Sequence, residues 1–227
     1  MKRIFRAHGR RMEIRAGTIL PHGVDGSWVG LLEKGLGAFT FTDNAERQHI
    51  FALIIPGRVF GDLDALTRNR LNLQGKVIRN SNVLLLERSR WEQEVERSPE
   101  LLKLYAKTAI SKQESHMEGM IANFTLDVPN RVRALMRSVI EAYYPVKASG
   151  WNPLPVNLNV TEISQTVAAN RSSVSIILSE WLAQDLIRKD GRRLIVSGSL
   201  LTSIPDWTID IPADDPNIPV FEMPSDF

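Results

Sequence analysis

Between Asn159 and Ile187 lies a run of residues with the chemistry to read nucleic acid: Arg171, Ser172, Ser173, Ser175 and Ile176. An arginine fork can donate two parallel hydrogen bonds to a guanine edge, and an aliphatic side chain can meet a thymine methyl. Serine hydroxyls both donate and accept, to bases or to phosphates. These five residues fall on the outward side of a helix predicted to open at Arg171. Val174, Ile177, Leu178 and Leu182 recur at inward spacing on the same helix.

A shorter helix precedes it, marked by Ile163 and Val167. Thr161 starts this helix and is counted with the DNA-contacting residues, and Glu162 adds negative charge where a helix N-terminus favours it. Ala168-Ala169-Asn170 separates the two helices, with Asn as the residue that tolerates a left-handed turn. Two short helices across a tight turn make a helix-turn-helix, whose second helix meets base edges in the major groove. The same pattern also occurs as an ordinary helical hairpin inside a core. The residues beyond Ile187 separate the two: Asp190-Gly191-Arg192-Arg193 is a turn, and Leu194-Ile195-Val196 is a strand. A hairpin there is a wing whose Arg192 and Arg193 reach phosphates, with Arg188 or Lys189 as further candidates.

Thr161 to Val196 resembles the winged DNA-binding domain of the Crp/Fnr transcription regulators. The resemblance rests on Arg171, Ser173 and Val174 at the start of the second helix, then Leu182, Leu186, Ile187 and Gly191 to Val196. It implies a homodimeric, sequence-specific DNA-binding transcription regulator. In the cyclic-AMP-binding type, a Glu follows the Arg and a second Arg comes later in the helix. Here these are Ser172 and Ile176, so a different operator is expected.

Thr18 to Leu86 reads as many short strands between glycine- and proline-rich turns, a barrel or jelly roll. It resembles the cyclic-nucleotide-binding β-roll of the same family through Gly17 to Leu20, Gly23, Val29, Leu32, Gly35, Gly37 and Pro56-Gly57 to Phe60-Gly61-Asp62-Leu63. Members that bind cyclic nucleotide use a Gly-Glu pair and a later Arg-[ST] pair for ribose and phosphate. Here Gly61 is kept and Asp62 stands for Glu, one methylene shorter. The Arg-[ST] position falls near Leu71-Asn72-Leu73, with Arg68 and Arg70 out of register. Each lost charge-assisted hydrogen bond is worth about 1.5–3 kcal/mol. The pocket, with Gly61, Asp62, Arg70 and His116 as its candidates, therefore reads as altered or degenerate. No cofactor is expected, and cyclic AMP or another cyclic nucleotide stays open as a ligand.

Ser98-Pro99-Glu100 is a helix start, with Ser as cap and Pro at the first position. The helix should run through Phe124 and resembles the long central helix by which Crp/Fnr proteins dimerise. Late in that helix the cyclic-AMP-binding type places a Thr-Ser pair, here His116-Met117. His116 reads as an effector contact, a pH-sensitive interface group, or a partly exposed residue without a role. Asp127-Val128-Pro129 is a hinge, and Asn130 to Tyr144 is amphipathic. The fold class expected is α+β: an N-terminal β-roll over 1–97, a dimerisation helix over 98–127, a winged helix-turn-helix over 128–204 and an acidic tail over 205–227.

Composition agrees with these assignments. The 227 residues are 43% hydrophobic and 24% charged, with no cysteine. Disulfides, thiolate metal sites and thiol redox sensing are excluded. Net charge is +2, but residues 200–227 carry six Asp/Glu and no Lys or Arg, which leaves +8 on the rest. A basic body suits phosphate. Met1 to Arg15, with six cations, reads as an exposed lead-in holding at most one strand. No signal-peptide pattern opens the chain and no apolar run could cross a membrane, so a cytoplasmic location is expected.

An enzyme is not expected. His8, His22, His49 and His116 form no H-x-H or H-x₃-H pattern, and no P-loop, nucleophile elbow or dinucleotide fingerprint occurs. Expected partners are double-stranded DNA and a second copy of the chain, with RNA polymerase left open. The alternative is a ligand sensor or dimeric interaction module whose helix-turn-helix docks protein.

Overall fold

The computed structural model describes residues 1–20, 27–44, 46–62 and 73–202. Gly23, Arg68, Arg70 and the tail 205–227 lie outside the described residues.

The first half is an antiparallel sheet. Strands β1 (Arg10–Ile14), β5 (Gln74–Glu87), β2 (Trp28–Thr42) and β3 (Gln48–Ile54) lie in that order, and β4 (Val59–Phe60) pairs with β2. Alternation sorts the side chains to two faces. Val83 and Leu85 of β5 join Leu32, Ile54 and Phe60 inside the roll. Leu84 and Leu86 join Val29 and Leu31 on the other face, against Trp91, Val95 and Tyr105.

The basic N-terminus departs from the lead-in expected of it. Lys2–His8 is a helix, α1, and β1 follows it. Phe5 is fully buried and lies 5.5 Å from Trp91, ring to ring. Phe5, whose burial contributes about 1.5–3 kcal/mol, fixes with the partly buried Met1 and Ile4 a segment otherwise too charged to show periodicity.

Helix α2 spans Arg88–Glu96, and the long helix α3 spans Pro99–Thr125. Ser98 caps α3 by accepting from Leu101 N, with Pro99 at the first position, as the sequence predicts. One face of α3 is turned inward at Tyr105, Ala109 and Ala122, while Ile110, Met117, Ile121 and Phe124 are exposed on the other. Only Leu126 and Asp127 separate α3 from α4 (Val128–Glu141), and the Asp127 carboxylate caps α4 at Asn130 N, 3.0 Å away. Helix α4 ends at Glu141 rather than at Tyr144. The Tyr144 hydroxyl instead donates to the Pro153 carbonyl.

The second half continues through β6 (Trp151–Pro153), α5 (Val160–Thr166), α6 (Arg171–Ala183), β7 (Ile187–Asp190), β8 (Arg193–Ser197) and α7 (Gly198–Thr202). Strands β6, β8 and β7 form a small antiparallel sheet in that order. Val132, Met136, Ile163, Val174, Leu178 and Val196 are buried together. Leu36 and Ile55 of the β-roll belong to the same core, and α5 lies against β3. No helix among the described residues is long and apolar enough to cross a membrane.

Candidate nucleic-acid interface

Helix α5 begins earlier than the predicted start at Thr161. Asn159 is its cap: Asn159 Oδ1 accepts from Glu162 N at 2.9 Å, and Glu162 Oε2 accepts from Asn159 N at 2.8 Å. This reciprocal pair satisfies two orphan donors. Thr161 is exposed in the first turn, and its carbonyl accepts from the Ser164 hydroxyl at 2.9 Å.

The turn after α5 also differs in detail. Ala168 is the left-handed residue, at φ 48, while Asn170 is extended at φ −70 and occupies the cap position of α6. The reason is the closure of α5. Ala169 N donates to Ser164 O at 3.0 Å, a bond that places the residue just before the donor in the left-handed region. No side chain caps α6, so its first N–H groups have no such partner.

Val174, Ile177, Leu178 and Trp181 anchor α6 in the core. On its other side Arg171, Ser172 and Ser175 are exposed, Ser173 is half-buried, and Ile176 is 59% exposed. Among the described residues the Arg171 guanidinium has no hydrogen bond or ion pair. The helix therefore brings a free guanidinium, two exposed hydroxyls and an aliphatic side chain to one surface.

The wing is the hairpin of β7 and β8. Asp190 pairs with Arg193 around Gly191-Arg192, and Gly191 sits at φ 56. Two-residue hairpins need such a residue because the strands twist right-handed. Arg192 and Lys189 are exposed, and neither has a partner among the described residues. Arg193 is exposed, but its Nε donates to the Leu154 carbonyl at 3.1 Å, which ties it to the small sheet. Arg188 is committed elsewhere. It forks onto Asp185 at 2.8 and 2.7 Å and stacks 3.8 Å over the Trp151 ring. The hydrogen bonds from Arg188 hold the Asp185 carboxyl below its ordinary range. From 128 to 202 the chain carries nine Lys/Arg against five Asp/Glu, a positive balance suited to phosphates.

The pocket residues lie in the β-roll and along α3. Gly61 is left-handed at φ 73, and Asp62 is 2% exposed. Both Asp62 carboxylate oxygens accept from Lys112 Nζ, at 2.7 and 2.6 Å, and its carbonyl accepts from the Tyr105 hydroxyl at 3.0 Å. Burial, and then the Asp62 charge, push the Tyr105 hydroxyl pKa up. His116 packs against Phe51, 5.2 Å between ring centroids. Burial, with the Lys112 charge second, pushes its pKa down. Sequence reasoning missed Lys112. The signal was there: Tyr105, Ala109, Lys112 and His116 share the inward stripe of α3, and a cation on such a stripe needs an anion opposite. It also missed Arg79 of β5, which donates to both oxygens of the buried Glu162. No group of three His, Cys, Asp or Glu among the described residues could hold a metal ion.

No protein-family model matches the chain, and no curated protein matches its sequence. Solved structures do match. FixK2 from Bradyrhizobium japonicum is 19% identical with a TM-score of 0.67, over 83% of this chain and 92% of that one. A CooA variant from Carboxydothermus hydrogenoformans is 15% identical with a TM-score of 0.65, over 86% and 85%. A CRP/FNR-family transcriptional regulator from Thermus thermophilus is 17% identical with a TM-score of 0.61, over 86% and 100%. The chain has the fold of Crp/Fnr-type transcription regulators: a β-roll, a long helix and a winged helix-turn-helix.

Proposed function

We propose that the chain is a homodimeric, sequence-specific DNA-binding transcription regulator whose effector pocket is degenerate. The observation that carries this reading is the two-sidedness of α6. Its inner residues are anchored in the core, and Arg171, Ser172, Ser175 and Ile176 stand outward with Arg171 uncommitted. Arg171 contacts guanine, the serines contact bases or phosphates, and Ile176 meets a thymine methyl. Arg192 serves phosphate from the wing, Arg193 does so with the donors its Leu154 contact leaves over, and Thr161 contacts the backbone from the first helix.

The exposed apolar face of α3 supports the dimer: Ile110, Met117, Ile121 and the 85% exposed Phe124 follow one another at steps of seven, four and three. Steps of that kind keep side chains on one helical face. The division of labour is a sensor-like roll over 1–97, a pairing helix over 98–127 and a reading unit over 128–204. The Lys112 ammonium on Asp62 supports a pocket that does not take cyclic AMP, because the carboxylate that would accept from a ribose hydroxyl is already engaged. The protein acts on DNA in the cytoplasm, and a promoter-bound regulator of this kind meets RNA polymerase. Its chemistry is recognition rather than catalysis.

The test is selection of duplexes from a random pool by the purified protein, with and without cyclic AMP, cyclic GMP and cyclic di-GMP. A palindrome with half-site centres about one helical turn apart, ~34 Å, enriched equally under all conditions, is the expected result. Failure to enrich any sequence at low salt overturns the proposal.

A further inference from the structure

A dimer that reads two half-sites must hold its two α6 helices at a set distance and angle. Chain connectivity does not supply this. Only Leu126 and Asp127 join α3 to the reading unit, and a two-residue joint is a swivel. What restrains the swivel is contact with the β-roll, apolar at Leu36 and Ile55 and polar elsewhere, and with α3 itself. At the far end of α4, Arg58 donates to the Ala142 carbonyl at 2.6 Å and the Tyr143 hydroxyl donates to the Pro56 carbonyl at 2.8 Å. Near the joint, Asn123 Nδ2 donates to the Thr166 carbonyl at 3.3 Å. Between these contacts, Arg79 of β5 forks onto Glu162 of α5, with Nε 3.0 Å from Oε1 and the second guanidinium nitrogen on Oε2.

The Arg79–Glu162 pair differs from the other contacts in kind. Glu162 is buried, and one of its oxygens already accepts from Asn159 N within the α5 cap. Its charge is compensated by Arg79, from the other half of the chain. A carboxylate stripped of that partner would stay buried and uncompensated. It could regain water only if α5 parted from β3.

We infer that Arg79 and Glu162 form a clamp that sets the half-site spacing the dimer accepts. Arg79 is a positioning residue: it acts on DNA through the placement of α6, by its hold on α5. This rests on the dimeric DNA-binding reading above. One added base pair moves a half-site by about 3.4 Å and turns it by roughly 35°. A clamped dimer should reject that change, and an unclamped one should follow it.

The experiment uses the full-length protein and its selected operator, rebuilt with the central spacer changed by one and two base pairs. The unaltered protein is expected to lose roughly tenfold or more in affinity per spacer step, the size of a base mismatch. Arg79→Met should flatten this profile to within about threefold, with the best spacer weakened and the others strengthened relative to it. Arg79→Met/Glu162→Gln, which keeps the α5 cap and leaves no buried charge, should recover stability but keep the flattened profile, because the fork is still missing. Arg79→Lys, a point charge without the fork, should fall between.

An Arg79→Met protein that melts cooperatively and keeps the original profile overturns the inference. So does one that loses affinity equally at every spacer, which is what a merely structural role would give. Should Arg79→Met fail to fold, Arg79→Lys decides by the same profile, and an unchanged one overturns the clamp. If the unaltered protein binds no duplex at all, the DNA-binding reading falls and the clamp with it. A duplex-binding protein whose profile ignores Arg79 sinks the clamp alone.

Discussion

Lys112 Nζ lies 2.7 and 2.6 Å from the two carboxylate oxygens of Asp62, which is 2% exposed. The long helix therefore supplies a cation to the β-roll from within the chain. Removing the ammonium leaves a buried carboxylate without a partner among the described residues. Lys112→Met should destabilise the protein by about 3 kcal/mol, the lower end for a buried pair because the lysine is partly exposed. Lys112→Met/Asp62→Asn should recover most of that loss. Urea titration of the three proteins measures both quantities.

The same pair bears on ligands. A ligand that binds only the folded state raises the melting temperature with concentration. Cyclic AMP and cyclic GMP at millimolar levels are expected to leave it unchanged. A concentration-dependent rise would mean that the ligand displaces Lys112 or uses other groups, and the pocket would no longer count as degenerate.

Arg171→Ala should weaken binding to the selected operator by about 1–3 kcal/mol, the range for a good bidentate base contact. Far-UV circular dichroism and the melting temperature should not change, since Arg171 is exposed and has no partner within the described residues. Unaltered affinity in fluorescence anisotropy would remove Arg171 from the reading surface.

Salt separates DNA from a protein partner. Affinity for duplex should fall linearly on a log–log plot, with a slope of about −0.9 per phosphate neutralised. Arg192→Ala should reduce that slope by about one and weaken all sequences alike. Arg188→Ala should act differently, through the stack on Trp151 and the fork on Asp185. A flat salt response in the unaltered protein would favour docking of another protein.

Met117→Asp together with Phe124→Asp should convert the proposed dimer to monomer in sedimentation velocity. Both positions are exposed in a single chain, so each protomer should keep its fold. Operator affinity should collapse, because one half-site then binds alone. A double variant that stays dimeric would place the subunit interface elsewhere.

His116 gives a pH signature. Burial, with Lys112 second, holds its folded-state pKa below the ordinary 6.5. The unfolded chain therefore takes up the proton first as pH drops. Its contribution to stability is whole above pH 6.5 and shrinks as pH falls toward the folded-state value. His116→Phe should flatten the stability curve just below that pH. Parallel curves for the two proteins would show that His116 is not the group responsible.

Local signals were legible in the sequence. Ser98-Pro99, the inward spacing of Val174, Ile177 and Leu178, and Gly191 in the wing each reflect chemistry within a few residues of chain. Three features were less legible. The left-handed residue of the turn is Ala168, selected by the closure of α5 rather than by the intrinsic tolerance of Asn170. Phe5 anchors α1 as the one fully buried side chain in a run of cations, which no periodicity reports. The ion pairs of Lys112 with Asp62 and Arg79 with Glu162 span 50 and 83 residues. Lys112 is marked only by its place on the inward stripe of α3, and nothing local marks Arg79.

Strand β3 is the terminal strand of the β-roll sheet among the described residues, and α5 lies against it. An uncovered terminal strand offers unpaired N–H and C=O groups to any passing strand. The helix-turn-helix half is thus also a lid against self-association. A β-roll cut free at Asp127 would present that rim bare, and its first failing should be precipitation rather than unfolding.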